Sequence, residues 1–257
     1  MFPFQRIVCL TEETTETLYL LGEEDRIVGI SGYTVRPPQA RQEKPRVSAF
    51  ISADIPNKIL ALEPDLALTF SDLQADIVAA LIRQGVHVHA FNQRSIAEIL
   101  EMILTLGALV GAGAKAEALV EKLQANIDAV RARAPSIRPR VYFEEWDTPM
   151  ISAIAWVSEL IGIAGGEDVF AELSRHKSAK DRIVTGEAVI ARDPDIIIGS
   201  WCGKKFSASK LAARPGFDRI AAVRNLRLHE IKSPLILQPG PAALTDGLAA
   251  LEAIISA

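Results

Sequence analysis

The chain has 257 residues, of which 49% are apolar and 23% charged, with a formal net charge of −4 spread without a long run of either sign; this balance argues against disorder. Phosphate backbones are held by a concentrated basic face, and a pI of 5.7 supplies none overall, so no large nucleic-acid surface is expected. Two cysteines, Cys9 and Cys202, cannot build a disulfide framework, and no window reaches the roughly 18 uninterrupted apolar residues of a membrane span.

The opening "MFPFQRIVCL" runs almost directly into a strand. It carries no basic leader and no small-residue cleavage site, so the chain as written is expected to be cytoplasmic, or periplasmic if the sequence is a trimmed form. "TETLYLLG" then reads as a helix. The phrase "ILALEPDLALTFS" from Ile59 follows, and nearly the same phrase, "VIARDPDIIIGSW", returns at Val189. In each, a helical run meets an acidic residue and Pro-Asp, and proline disfavours helix in the residue before it. The apolar runs that follow, "LALTF" and "IIIGS", show no polar alternation, as in parallel strands covered on both faces.

The first half continues with the helix "ADIVAALIRQG", the strand "VHVHAF" and the helix "SIAEILEMILTLGALVG". In "AKAEALVEKLQANIDAVRARAP", Val120, Leu123, Ile127, Val130 and Ala134 step by threes and fours, which predicts one amphipathic helix of about 30 Å. The second half repeats the plan: the strand "RPRVYFEEW", the helix "AWVSELIGIAGG", the Pro-Asp phrase, "FDRIAAVRNLRLHEI" and the closing helix "ALTDGLAALEAIIS". The expected fold is therefore α/β, with two Rossmann-like lobes of mostly parallel sheet over residues 1–110 and 137–257, joined by one long helix over 111–136. Open parallel sheets place ligands at the carboxyl ends of their strands.

The order of elements, with "RIVCLTEETTETLYLLGEEDRIVGISGYTVRPPQA", "ILALEPDLAL", "WVSELIGIAGGEDVF" and "ARDPDIII", resembles the cobalamin- and siderophore-binding substrate proteins of ATP-driven importers. The resemblance covers nearly the whole chain, and residues 156–170 are most similar to the corrinoid-binding branch. It implies a monomeric, non-catalytic protein that holds a corrinoid in a cleft between two lobes, for import or for intracellular handling. Haem and iron-siderophore chelates are the alternative ligands, since one scaffold serves all of them. The family's first loop usually has Ser or Pro before a Thr-Glu pair; here Glu12 and Glu13 precede Thr15 and Glu16. Family members that dock on a membrane subunit present one surface glutamate per lobe. Glu187 matches the second of these positions, whereas Asn57 stands at the first.

Aromatic residues make up only 6% of the chain, and several fall where strands end. Tyr33, Phe50, Phe91, Trp146 and Trp201 are candidate walls for a broad flat ligand, with Phe70 a weaker one and Trp156 opening a helix. Polar contacts are expected from the same loops: Glu12, Glu13, Ser71, Asp72 and Asn92 in the first half, and Glu145, Asp147, Lys204 and Lys232 in the second. Glu12 and Glu13 equally suit a helix start. Of four histidines, His87 and His89 share one face of a strand and read as its exposed side, so no metal site is expected. His176, in "SRHKSAKD", is the candidate axial ligand to a corrinoid cobalt. No GxxxxGK[ST], HExxH or GxSxG occurs, so no catalytic residues are assigned. An enzyme acting on a small organic substrate is the competing reading.

Overall fold

The structure is a computed structural model describing residues 2–49 and 51–257. It divides into two compact units, the chain up to Gln93 with Ala97–Lys122, and Arg94–Ile96 with Leu123–Ala257. The division thus falls inside the long helix Gly113–Ala132, the expected amphipathic segment, which buries Ala116, Leu123, Ile127 and Val130.

The first unit holds a six-stranded sheet of β1 (Ile7–Cys9), β2 (Ile27–Ser31), β3 (Arg46–Ala49), β4 (Ser52–Ala53), β5 (Leu66–Phe70) and β6 (Val88–Phe91), in the order β4-β3-β2-β1-β5-β6. Every pair is parallel except the β3–β4 hairpin. β1 and β5 are buried throughout, as their unbroken apolar runs require. Helices Glu12–Leu20 and Ala75–Arg83 follow β1 and β5. Val8, Leu10, Ala67, Ile77 and Leu81 share one core cluster.

The second unit is built on β7 (Arg140–Asp147), β8 (Met150–Ser152), β9 (Glu167–Asp168), β10 (Ile196–Gly199) and β11 (Leu228–Glu230), ordered β11-β10-β7-β8 with β9 also against β7. β11, β10, β7 and β9 run parallel, and β8 folds back antiparallel on β7. Among the described residues no helix is long and apolar enough to cross a membrane.

The repeated phrase does the same work in both sheets. Glu63 and Asp193 take up left-handed conformations, with φ of 48° and 40°, directly before Pro64 and Pro194. The next residue then clamps the start of the neighbouring strand. Asp65 accepts the amides of Gln5 and Arg6, both at 2.8 Å, and donates its own amide to the Arg6 carbonyl at 2.9 Å. Asp195 accepts the Arg140 amide at 2.8 Å and returns its amide to the Arg140 carbonyl at 2.8 Å. The approach differs: an α-helix, Gly186–Arg192, leads into the second copy, whereas two short helical turns, Ile55–Ile59 and Leu60–Leu62, lead into the first.

Candidate functional site

In the first unit the parallel register aligns the carboxyl ends of five strands. Cys9 lies opposite Ile30 and Leu68, Ser31 opposite Ser48, and Phe70 opposite Phe91. The loops leaving that edge carry Glu12, Glu13, Tyr33, Ser71, Asp72 and Asn92, so the sequence-derived candidates of this half share one rim. Phe50 lies outside the described residues. Tyr33 is 60% exposed and its amide donates to Ser31 Oγ at 3.2 Å, which leaves the ring open to a planar partner. Ser71 sits at φ 61°, a region costly for a residue with a Cβ. It is held there by its amide on the Phe91 carbonyl at 2.8 Å and by its hydroxyl, which accepts the Leu73 amide. Ser71, Asp72, Phe91 and Asn92 line a common cavity of about 430 Å³.

Glu12 and Glu13 occupy the first turn of helix Glu12–Leu20, and both are buried. Burial, and next the charge of Glu12, push the Glu13 carboxyl up to about 8, although hydrogen bonds with Thr11 and Gln93 oppose the shift. Burial also raises Glu12. Glu13 Oε1 has no hydrogen-bond partner among the described residues. Glu13 is therefore mostly protonated at neutral pH, and the acidic pair carries less than two negative charges.

In the second unit the acidic run of β7 is neutralised from within. Glu144 is fully buried and takes two hydrogen bonds from Arg214 at 2.5 and 2.9 Å, one from the Tyr142 hydroxyl at 3.0 Å and one from the Trp201 indole at 2.9 Å. Burial and the adjacent carboxylate hold Tyr142 well above the usual tyrosine range, so its hydroxyl remains a donor. Glu145 is paired with the buried Arg182 at 2.6 Å, and Asp147 with Lys204 at 2.8 Å. Burial alone would raise Asp147, but the Lys204 hydrogen bond and charge bring it below the usual carboxylate range. The Lys204 ammonium also stands 4.0 Å over the Trp146 ring, a cation–π contact, while the Trp146 indole donates to the Thr148 carbonyl at 2.9 Å. Gly199 lies opposite both Glu144 and Glu230, so Trp146, Lys204 and the exposed Lys232 leave the same edge of the sheet.

Three of the candidates are engaged within the fold. Trp201 is core: it is 5% exposed, its indole is committed to Glu144, and its ring meets Phe206 edge-on at 5.0 Å. Trp156 is likewise 3% exposed and donates to the Ile236 carbonyl at 2.8 Å. Glu145 is engaged by Arg182 rather than left for a ligand. His176 is exposed beyond the helical turn Ala171–Ser174. His87 is exposed and His89 half-buried, packed on Phe4 and Phe91 respectively; burial lowers His89. No group of three or more metal-ligating side chains converges among the described residues. Sequence reading missed Arg182, Arg214 and Gln93, which carry no local signal: their partners lie 37 and 70 residues away for the two arginines.

Comparison with known proteins places this arrangement. The chain is 26% identical over 212 residues to a cobalamin-binding protein of Halobacterium salinarum, covering 81% of this chain but 57% of that protein, so it spans just over half the length of that relative. It is 26% identical over 247 residues to a vitamin B12-binding protein of Vibrio cholerae, covering 95% of this chain and 86% of the relative. A solved structure of a possible iron-binding (periplasmic solute-binding) protein from Staphylococcus epidermidis superimposes with a TM-score of 0.85 at 24% identity, over 99% of this chain and 100% of the other, and shows the same fold. The expectation of cytoplasmic residence finds no support in these comparisons. The periplasmic binding protein family model matches residues 7–235, and the chain belongs to that family.

Proposed function

We propose that the protein is a non-catalytic binder of a corrinoid, delivering it to a membrane transporter or handling it inside the cell. The observation that carries the reading is the grouping of the candidate residues on the carboxyl rim of each sheet, with Tyr33 exposed on one and Trp146 on the other, in a chain whose relatives include cobalamin- and vitamin B12-binding proteins. Parallel sheets present ligands at that rim. A planar macrocycle gains most from aromatic faces, each able to bury about 150–250 Å². Glu12, Glu13, Ser71, Asp72, Phe91, Asn92, Lys204 and Lys232 supply the surrounding contacts in this reading.

The test is a visible-spectrum titration of the purified protein with cyanocobalamin and aquocobalamin. Stoichiometric binding with the ligand unchanged supports the proposal; turnover of the ligand would move it to the enzyme reading. A shift of the aquocobalamin spectrum on binding would report a protein axial ligand, and His176→Ala would then restore the free spectrum if His176 supplies it. Delivery rests on Glu187, which is exposed in the first turn of helix Gly186–Arg192 and whose carboxyl is lowered by its own backbone amide and by Thr185. Glu187→Ala is expected to reduce transporter-dependent uptake, and Asn57→Ala to leave it unchanged.

A further inference from the structure

A second cavity of the first unit borders the rim discussed above. It encloses about 630 Å³ beside the β3–β4 hairpin and is lined by Gly32, Arg46, Ser48, Ser52, Asp54 and Lys58, among others. Two cations thus face one cavity. By contrast, Arg182, Arg214 and Lys204 each hold a carboxylate. The side chains of Arg46 and Lys58 have no ion-pair or hydrogen-bond partner among the described residues, and both residues are exposed. The one carboxylate in the wall, Asp54, is turned to the Asn57 amide at 3.2 Å. The Ser48 hydroxyl, behind the same wall, is buried and has no hydrogen-bond partner among the described residues.

The cavity touches the rim at a fixed point. Gly32 directly precedes Tyr33, and its amide donates to the Ser48 carbonyl at 2.7 Å. A Cβ at Gly32 would stand 2.8 Å from that carbonyl oxygen, so only glycine permits this closeness of the two loops. A ligand stacked on Tyr33 therefore has its periphery next to a wall that carries two cations against the one carboxylate of Asp54. Arginine and lysine together with hydroxyl donors recognise phosphate oxygens.

We infer that this cavity is an oxyanion subsite that takes a phosphate group. Resting on the corrinoid reading, the inference specifies which corrinoid is held: the complete form, whose nucleotide loop carries a phosphodiester, in preference to the truncated form that lacks it. The Arg46 and Lys58 charges draw the phosphate, and the corrin ring lies against Tyr33.

Isothermal titration of cyanocobalamin and of dicyanocobinamide into the wild type and into Arg46→Met/Lys58→Met tests it, with inorganic pyrophosphate as a third probe. The wild type is expected to bind cyanocobalamin at least tenfold more tightly than dicyanocobinamide. The double variant should lose that preference while keeping its affinity for dicyanocobinamide, and the wild-type preference should shrink as salt rises, as an exposed charge contact requires. Both side chains are exposed, so an unchanged melting curve is expected for the variant. Equal wild-type affinities, a preference that survives the double substitution, or equal weakening of both ligands would overturn the subsite while leaving corrinoid binding intact. Pyrophosphate binding that depends on Arg46 and Lys58, without binding of either corrinoid, would keep the subsite and remove the corrinoid reading. Absence of binding by all three probes would remove both.

Discussion

Glu144 and Arg214, 70 residues apart in the chain, meet as a two-point ion pair with the carboxylate wholly buried. The same carboxylate receives Tyr142 and Trp201, so one side chain ties the start of the loop after β10 to the middle of β7. A buried carboxylate is tolerated only with such complete compensation. Removing the arginine leaves an uncompensated charge, whose typical cost is about 3–5 kcal/mol. Arg214→Met is therefore expected to lower unfolding stability by about that amount in urea titration, and Glu144→Gln by less, since its single amide oxygen can still accept from Trp201 and the arginine left behind is partly exposed.

The two buried tryptophans and the rim tryptophan should separate cleanly. Trp201→Ala opens a hole in the core beside Phe206, and large-to-small aromatic truncations cost about 3–5 kcal/mol. Trp146→Ala removes a partly exposed ring that rests under Lys204; it is expected to lower stability by no more than about 1 kcal/mol and corrinoid affinity by roughly tenfold. Paired denaturation and binding measurements check this, and a Trp201 variant that kept its stability would show that the ring is not core.

Strand clamping by the repeated aspartates predicts an order of effects. Asp65 accepts two backbone amides and Asp195 one, and hydrogen bonds to a charged acceptor contribute about 1.5–3 kcal/mol each. Asp65→Ala should destabilise more than Asp195→Ala in thermal or urea unfolding. The reverse order would mean that the clamp is not the main role of the phrase.

The raised Glu13 carboxyl gives a pH signature. The carboxyl titrates near 8 in the folded chain and in the ordinary range, about 4.3, when unfolded. Between those values the folded state binds the extra proton, so its contribution is fully present below about pH 4.3 and is lost as pH rises through about 8. Wild-type stability should therefore fall between pH 5 and pH 8.5. In Glu13→Gln, which keeps a neutral side chain, the fall should be smaller across that window. Parallel slopes for the two proteins in urea titrations would show that Glu13 does not titrate there.

Much of the fold was legible because its signals are local and periodic. The apolar run of β5 without alternation marked a doubly covered strand, and the residue before each proline marked the end of each helical approach. The repeat from Glu63 to Asp65 and from Asp193 to Asp195 announced two like sheets. For the candidate site the sequence carried only the loop positions at strand ends. The burial of Trp156 and Trp201 was hidden, since a tryptophan after a strand reads the same whether it faces solvent or finds the Ile236 carbonyl or Glu144. The acids of "FEEWD" suggested open ligand contacts, because their bases at Arg182, Lys204 and Arg214 are separated from them by 37 to 70 residues. No spacing rule joins residues so far apart.

The central claim is that the rim residues hold a corrinoid. Equilibrium dialysis of the purified wild type and of Tyr33→Ala/Trp146→Ala against cyanocobalamin, with hemin in parallel, addresses it directly. The account predicts one cyanocobalamin per wild-type chain, tighter than hemin, and a loss of at least tenfold in the double variant with its fold intact by circular dichroism. Retention of hemin alone, or cyanocobalamin binding indifferent to both substitutions, would contradict it.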